Sequence, residues 1–117
     1  MGNNIEIGRK GEILAKQYLV SHNYNILNMN YRNKIGEIDI IAMNKGILVF
    51  IEVKTRKSLE YGYPYEAVNR RKQEKIISTS LIYLKQNGFK DIQLRYDIIE
   101  VYLTPKTRIN HIDNAFC

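Results

Sequence analysis

Cysteine and histidine are nearly missing from this chain of 117 residues, which has one Cys and two His. A lone Cys117 permits no internal disulfide and suits a reducing, cytoplasmic setting. With that single thiol and with His22 and His111 far apart, no ligand set for zinc can be assembled, and both histidines read as surface residues. Long apolar runs are missing too: the longest uncharged one, Gly46 to Ile51, is of strand length, which excludes a membrane-spanning helix. The polar start Met1-Gly2-Asn3-Asn4 does not resemble a secretory leader. There is no Gly-x-Gly-x-x-Gly, P-loop or nucleophile elbow, and no repeat, low-complexity segment or linker. What remains is one domain, residues 1–117, long enough to bury about 65% of its unfolded surface.

Positive charge, by contrast, is plentiful. Eighteen Lys and Arg against twelve Asp and Glu give a net charge of +6 and a pI near 9.4, a balance that favours anionic partners such as nucleic acid. Lys54, Arg56, Lys57, Arg70, Arg71, Lys72 and Lys75 crowd into 22 residues, while Glu37, Asp39 and Glu52 stand together among apolar neighbours. A basic surround with an acidic pocket is what a metal-using enzyme on polyanions needs. The plainer reading is a solvated, basic surface.

The acidic residues interrupt what otherwise reads as an apolar hairpin. Asp39 lies in Gly36-Glu37-Ile38-Asp39-Ile40-Ile41, and Glu52 and Lys54 lie in Val49-Phe50-Ile51-Glu52-Val53-Lys54. Strand interiors seldom carry such charges without a use for them. Side chains alternate faces along a strand, so Glu52 and Lys54 share one. If Met43 pairs with Leu48 across the turn, Asp39 falls opposite Glu52 with Cβ atoms about 5 Å apart. A three-residue turn with Gly46 left-handed would slip the register and set the carboxylates diagonal.

Two carboxylates at that separation repel by roughly 3 kcal/mol at an effective dielectric near 20, and a divalent cation neutralises them best. Hard oxygen donors on a partly open site select Mg²⁺ or Mn²⁺. Lys54 would then orient or deprotonate the attacking water and offset charge on a phosphate. The competing reading is a cross-strand ion pair on a solvated face.

Hydrophobic periodicity predicts helices over 4–22 and 66–87 and strands over 25–32, 36–43, 47–56 and 93–103, in the order α, β, β, β, α, β. That order specifies an α/β fold with a small mixed sheet flanked by helices. The first helix carries Ile5, Gly8, Glu12, Ala15 and Leu19 on one stripe, which aims Glu12 at the sheet unless it pairs with Lys16 on the flank. Gly8 and Gly11 lower helix propensity by about 1 kcal/mol each, which close approach to a sheet or phosphate would compensate. The second helix has a core face of Ile77, Leu81 and Leu84 and ends at Asn87-Gly88. Lys72 shares a row with Val68 and Ile76, either reaching toward the site or snorkelling at the surface. Arg95 and Asp97 share a face and pair with each other or a neighbour. Tyr61, Tyr63 and Tyr65 form a loop that packs locally or stacks on unpaired bases. Residues 104–117 read as a surface tail.

Gly8-x-x-Gly11-Glu12, Asn30-Tyr31-Arg32, Gly36-Glu37-Ile38-Asp39-Ile40-Ile41, Val49-Phe50-Ile51-Glu52-Val53-Lys54-Thr55-Arg56 and Arg95-Tyr96-Asp97 together resemble the YraN-like family of bacterial proteins over nearly the whole chain. That family in turn resembles the restriction-endonuclease-like superfamily, including archaeal Holliday-junction resolvases, with its αβββαβ core and PD-(D/E)xK site. Ile38 stands where the superfamily motif has its proline. The resemblance implies Asp39 and Glu52 as metal ligands, Lys54 as the catalytic lysine, Glu12 as a helix carboxylate facing the metal, and the Val53 carbonyl as a further ligand.

The resulting expectation is a Mg²⁺- or Mn²⁺-dependent DNA nuclease, acting on branched or single-stranded DNA in repair or recombination. Arg56, Lys57, Arg70, Arg71, Lys72 and Lys75 are the expected nucleic-acid contacts. The alternative is a non-catalytic nucleic-acid-binding module on a nuclease fold. A homodimer would suit paired cuts on two strands, although no dimer surface is legible in the sequence.

Overall fold

The computed structural model describes residues 4–56 and 68–116. In chain order these form α1 (Asn4–Ser21), β1 (Asn25–Arg32), β2 (Glu37–Asn44), β3 (Ile47–Arg56), α2 (Arg70–Gln86), β4 (Gln93–Tyr102) and β5 (Arg108–Ile112). The strands make one sheet in the order β1-β2-β3-β4-β5. Neighbours are antiparallel except β3 and β4, which run parallel. This is the expected mixed sheet with two helices, and the αβββαβ order is compatible with a restriction-endonuclease-like core.

β3 is the centre of the sheet, and its nearly continuous apolar sequence follows from burial on both faces. Val49 and Ile51 pack with Ala15 and Leu19 of α1 and with Ile40, Ala42, Ile99 and Val101. Leu48 and Phe50 face the other way, onto Ile76 and Tyr83 of α2 and onto Ile41, Tyr96 and Ile98. The β2–β3 turn is Lys45-Gly46, with φ of 51° and 79°, the two positive values a two-residue type I′ hairpin requires. Met43 pairs with Leu48 and Ile40 with Ile51, so of the two registers open to the sequence the one that sets Asp39 opposite Glu52 is observed.

Three expectations are corrected. Ile5 is 70% and Leu81 55% exposed, so neither belongs to the core. α2 instead buries Ile76, Thr79, Ser80 and Tyr83. Its two small hydroxyl residues satisfy themselves on the helix, at Lys75 O and Ile77 O, and let the helix lie close to the sheet. Part of the expected tail is the edge strand β5, paired with β4 from Ile98–Ile112 to Tyr102–Arg108. Beyond it, Phe116 is buried against Tyr96, ring centroids 5.5 Å apart. His111 is no surface residue: Nε2 lies 2.7 Å from Asp97 Oδ2 and Nδ1 3.1 Å from Tyr18 Oη. Arg95 and Asp97 form the expected pair, with both guanidinium contacts at 2.9 Å. The Tyr61, Tyr63 and Tyr65 loop and the predicted start of the second helix at 66 lie outside the described residues.

Candidate active site

Beyond Ile40–Ile51 the β2–β3 ladder is taken over by a side chain. The Val53 N–H donates to Asp39 Oδ2 at 2.8 Å, so the Asp39 carboxylate occupies the place of a backbone acceptor and is held beside Glu52. From the third position of this constellation, Lys54 Nζ reaches Glu52 Oε2 at 3.8 Å, with side-chain exposures of only 15% and 7%. The predicted triad is therefore assembled in space, as period-two alternation required.

Two helices bring the remaining groups. A Cβ on Gly11 would overlap the Thr55 side chain, so only glycine lets α1 lie this close to β3, one residue beyond Lys54. That approach carries the next residue, Glu12, to the wall of the same cleft. Asn30 Nδ2 donates to Glu12 Oε1 at 2.8 Å, which orients it toward β1. From the opposite face, Lys72 in the first turn of α2 places Nζ 2.8 Å from Glu52 Oε2. The lysine thus reaches the site rather than snorkelling away from it.

The cleft holds about 630 Å³. Among the described residues its walls include Glu12, Asp39, Glu52, Val53, Lys54, Arg56, Lys72 and Lys75, gathering most of the residues picked from sequence. Arg70 and Arg71 are exposed on α2 outside it, with Arg70 paired to Glu74 at 3.9 Å, and Lys57 lies outside the described residues. Lys72 on Glu52 and Asn30 on Glu12 were not legible as contacts. An Asn in the alternating β1 pattern signals only exposure, and helix period aims Lys72 toward the sheet without naming its partner.

Electrostatics in the cleft are polarised. Burial, the Glu52 hydrogen bond and the Glu52 charge push Asp39 up to about 9. Burial would raise Glu52 as well, but hydrogen bonds from Asp39 and Lys72 and the nearby lysine charges outweigh it and hold Glu52 below its ordinary value. The two carboxyls are thus driven in opposite directions, as crowded carboxylates are. The lysines split in the same way. Burial and contact with Lys72 lower Lys54, whereas for Lys72 the contacts with Glu52 and Lys54 overcome burial and raise it.

Among the described residues, no three His, Cys, Asp or Glu side chains converge as a ready-made metal cage. The buried Asp39–Glu52 pair supplies two hard oxygen donors, the number with which Mg²⁺ is ordinarily held while keeping several waters. The donor set fits such an ion and excludes a soft one. No helix among the described residues is long and apolar enough to cross a membrane.

The family model described as uncharacterised protein family UPF0102 matches residues 11–101, a span that contains the whole triad. A UPF0102 protein of Caldanaerobacter subterraneus is 48% identical over 97% of each chain. One of Clostridioides difficile is 49% identical over 97% of this chain and 99% of its own, and one of Alkaliphilus oremlandii 51% identical over the same shares. By these matches the chain belongs to the UPF0102 family.

Proposed function

We propose that this protein is a Mg²⁺- or Mn²⁺-dependent nuclease that hydrolyses DNA phosphodiester bonds, with branched and single-stranded DNA as the leading substrates. The observation that carries this reading is the meeting of Asp39, Glu52 and Lys54 in one basic-rimmed cleft, with the two carboxylates buried against each other. Asp39 and Glu52 would hold the ion, with Glu12 and the Val53 carbonyl as further donors. When bound, the ion would polarise the phosphate and supply an acidic water.

Each residue then has a task. Val53 N–H fixes the Asp39 carboxylate in the cleft. Lys54, whose environment favours its neutral form more than that of an ordinary lysine, takes a proton from the attacking water. Arg56, Lys72 and Lys75 line the same cleft and hold phosphates by charge.

The test is cleavage of labelled duplex, single-stranded, flap and four-way-junction DNA in Mg²⁺ or Mn²⁺ by wild type, Asp39→Asn and Lys54→Ala purified identically. Cleavage that falls at least about a hundredfold in both variants is the expected result. Cleavage that persists in the variants, or none by wild type with DNA affinity intact, would replace the nuclease with a binding module.

A further inference from the structure

Lys72 occupies an unexpected seat for a nucleic-acid contact. Its ammonium lies 2.8 Å from Glu52 Oε2, the oxygen that Lys54 Nζ also approaches, at 3.8 Å. The two lysines differ in freedom. Lys54 projects from the central strand with a side chain 15% exposed, whereas the Lys72 side chain is 43% exposed at the mouth of the cleft. The Lys72 backbone is pinned, since its N–H donates to the Asn69 side chain capping α2, at 2.9 Å. Its long stem can therefore swing with no movement of the helix.

We infer that Lys72 is an exchange residue: it sits on Glu52 while that carboxylate holds no divalent ion, and transfers to a substrate phosphate when an ion takes Glu52. The identity of both ligands rests on the nuclease reading above. The argument is one of competition. An ammonium and a divalent cation seek the same carboxylate oxygen, and when the ion is there its charge repels the lysine. Asp39 and Glu12 offer the displaced amine no refuge, because the ion draws on the same carboxylates, and Glu37, the remaining acid of the cleft wall, is already paired with Arg32 at 2.8 Å. The next anion to enter the cleft is a phosphate, which Arg56 and Lys75 also meet. Ion binding thus releases a phosphate ligand, and a bound phosphate retains the lysine away from Glu52. The two binding events strengthen each other by one common factor.

The test uses the full chain. Mn²⁺ affinity is measured by calorimetry without DNA for wild type, Lys72→Met, Lys72→Arg and Lys75→Met, the last removing an equal charge from the same helix. Lys72→Met is expected to bind Mn²⁺ roughly five- to tenfold more tightly. Lys72→Arg is expected to match wild type, and Lys75→Met to change affinity by less than about twofold. Four-way-junction affinity is then measured in EDTA and in Ca²⁺; Lys72→Met should lose affinity only with the ion present.

Unchanged or weaker Mn²⁺ binding by Lys72→Met would overturn the exchange, as would an equal loss of DNA affinity with and without the ion. If wild type still binds Mn²⁺ and Asp39→Asn does not, the site itself stands and only the exchange falls. Absence of Mn²⁺ binding by wild type would overturn both.

Discussion

Asp39 and Asp97 are both acids removed from water, and their surroundings drive them in opposite directions. Burial and a neighbouring carboxylate raise Asp39 to about 9. The unfolded chain releases this proton near pH 4 while the folded one keeps it, so Asp39 lowers stability progressively as pH rises from about 4 to 9. In EDTA, Asp39→Asn is therefore expected to stabilise the fold by about 2 kcal/mol at pH 8 and to add little at pH 4, as read by denaturant unfolding. For Asp97, burial also favours the neutral form, but hydrogen bonds from His111, Arg95 and the Asn114 N–H outweigh it and hold the group below its ordinary value. Its contribution is complete above about pH 4 and is lost as pH falls through the lower folded value. Asp97→Asn should cost about 3 kcal/mol or more from pH 5 to 8, because Arg95 and His111 keep their buried positions without their anion. That difference should shrink in acid. Asp39, Glu52 and Lys54 were legible as a candidate site because a charge inside an apolar strand is an exception that demands a reason. His111 was not, since an imidazole 14 residues from its carboxylate leaves no periodic mark.

At the scale of elements, α1 illustrates how two identical residues acquire different roles. Gly8 and Gly11 weaken the helix equally in isolation. In the fold a Cβ at Gly8 meets nothing within 4 Å, while one at Gly11 strikes Thr55. Gly8→Ala should therefore stabilise the protein by about 0.5–1 kcal/mol. Gly11→Ala should destabilise it by about 1–3 kcal/mol and, by lifting Glu12 from the cleft, lower any metal-dependent cleavage. Thermal unfolding of the two variants separates these outcomes, and Thr55→Ala added to Gly11→Ala should recover part of the loss. The hairpin was readable in advance from the turn at Lys45-Gly46 between two apolar strands, but two registers were open and the structure takes the one that pairs Met43 with Leu48. The rotation of α2 was not. Ile76 and Tyr83 compete with Ile77, Leu81 and Leu84 as a core stripe, and the choice depends on the close packing permitted by Thr79 and Ser80.

For the whole molecule, the sheet is completed only after residue 104. A surface tail could be removed without effect, but β5 supplies His111 to Asp97 and Asn110 to Glu100, and Phe116 covers Tyr96. Deleting residues 108–117 is therefore expected to lower the unfolding free energy by at least about 3 kcal/mol, measured by urea denaturation against the full chain. The net charge of +6 acts at the same scale. If Arg56, Lys72 and Lys75 engage phosphates, log affinity for DNA should fall against log salt with a slope near −2 to −3, and Lys75→Met should reduce that slope by about one.

By itself the sequence determined the order of elements, the sharing of one face by Glu52 and Lys54, and two candidate hairpin registers, of which the structure adopts the one that sets Asp39 beside Glu52. These follow from period-two and period-3.6 alternation and from turn chemistry, all of which act between residues near in the chain. Tertiary structure alone decided that Lys72 sits on Glu52, that Asn30 holds Glu12, that His111 closes on Asp97 and that β5 joins the sheet. The three side-chain contacts join residues 14 to 20 apart, where no local period operates and only the packing of the elements selects the partner, while β5 pairs with β4 from 6 to 14 residues away through a turn that carries no hairpin signal in the sequence.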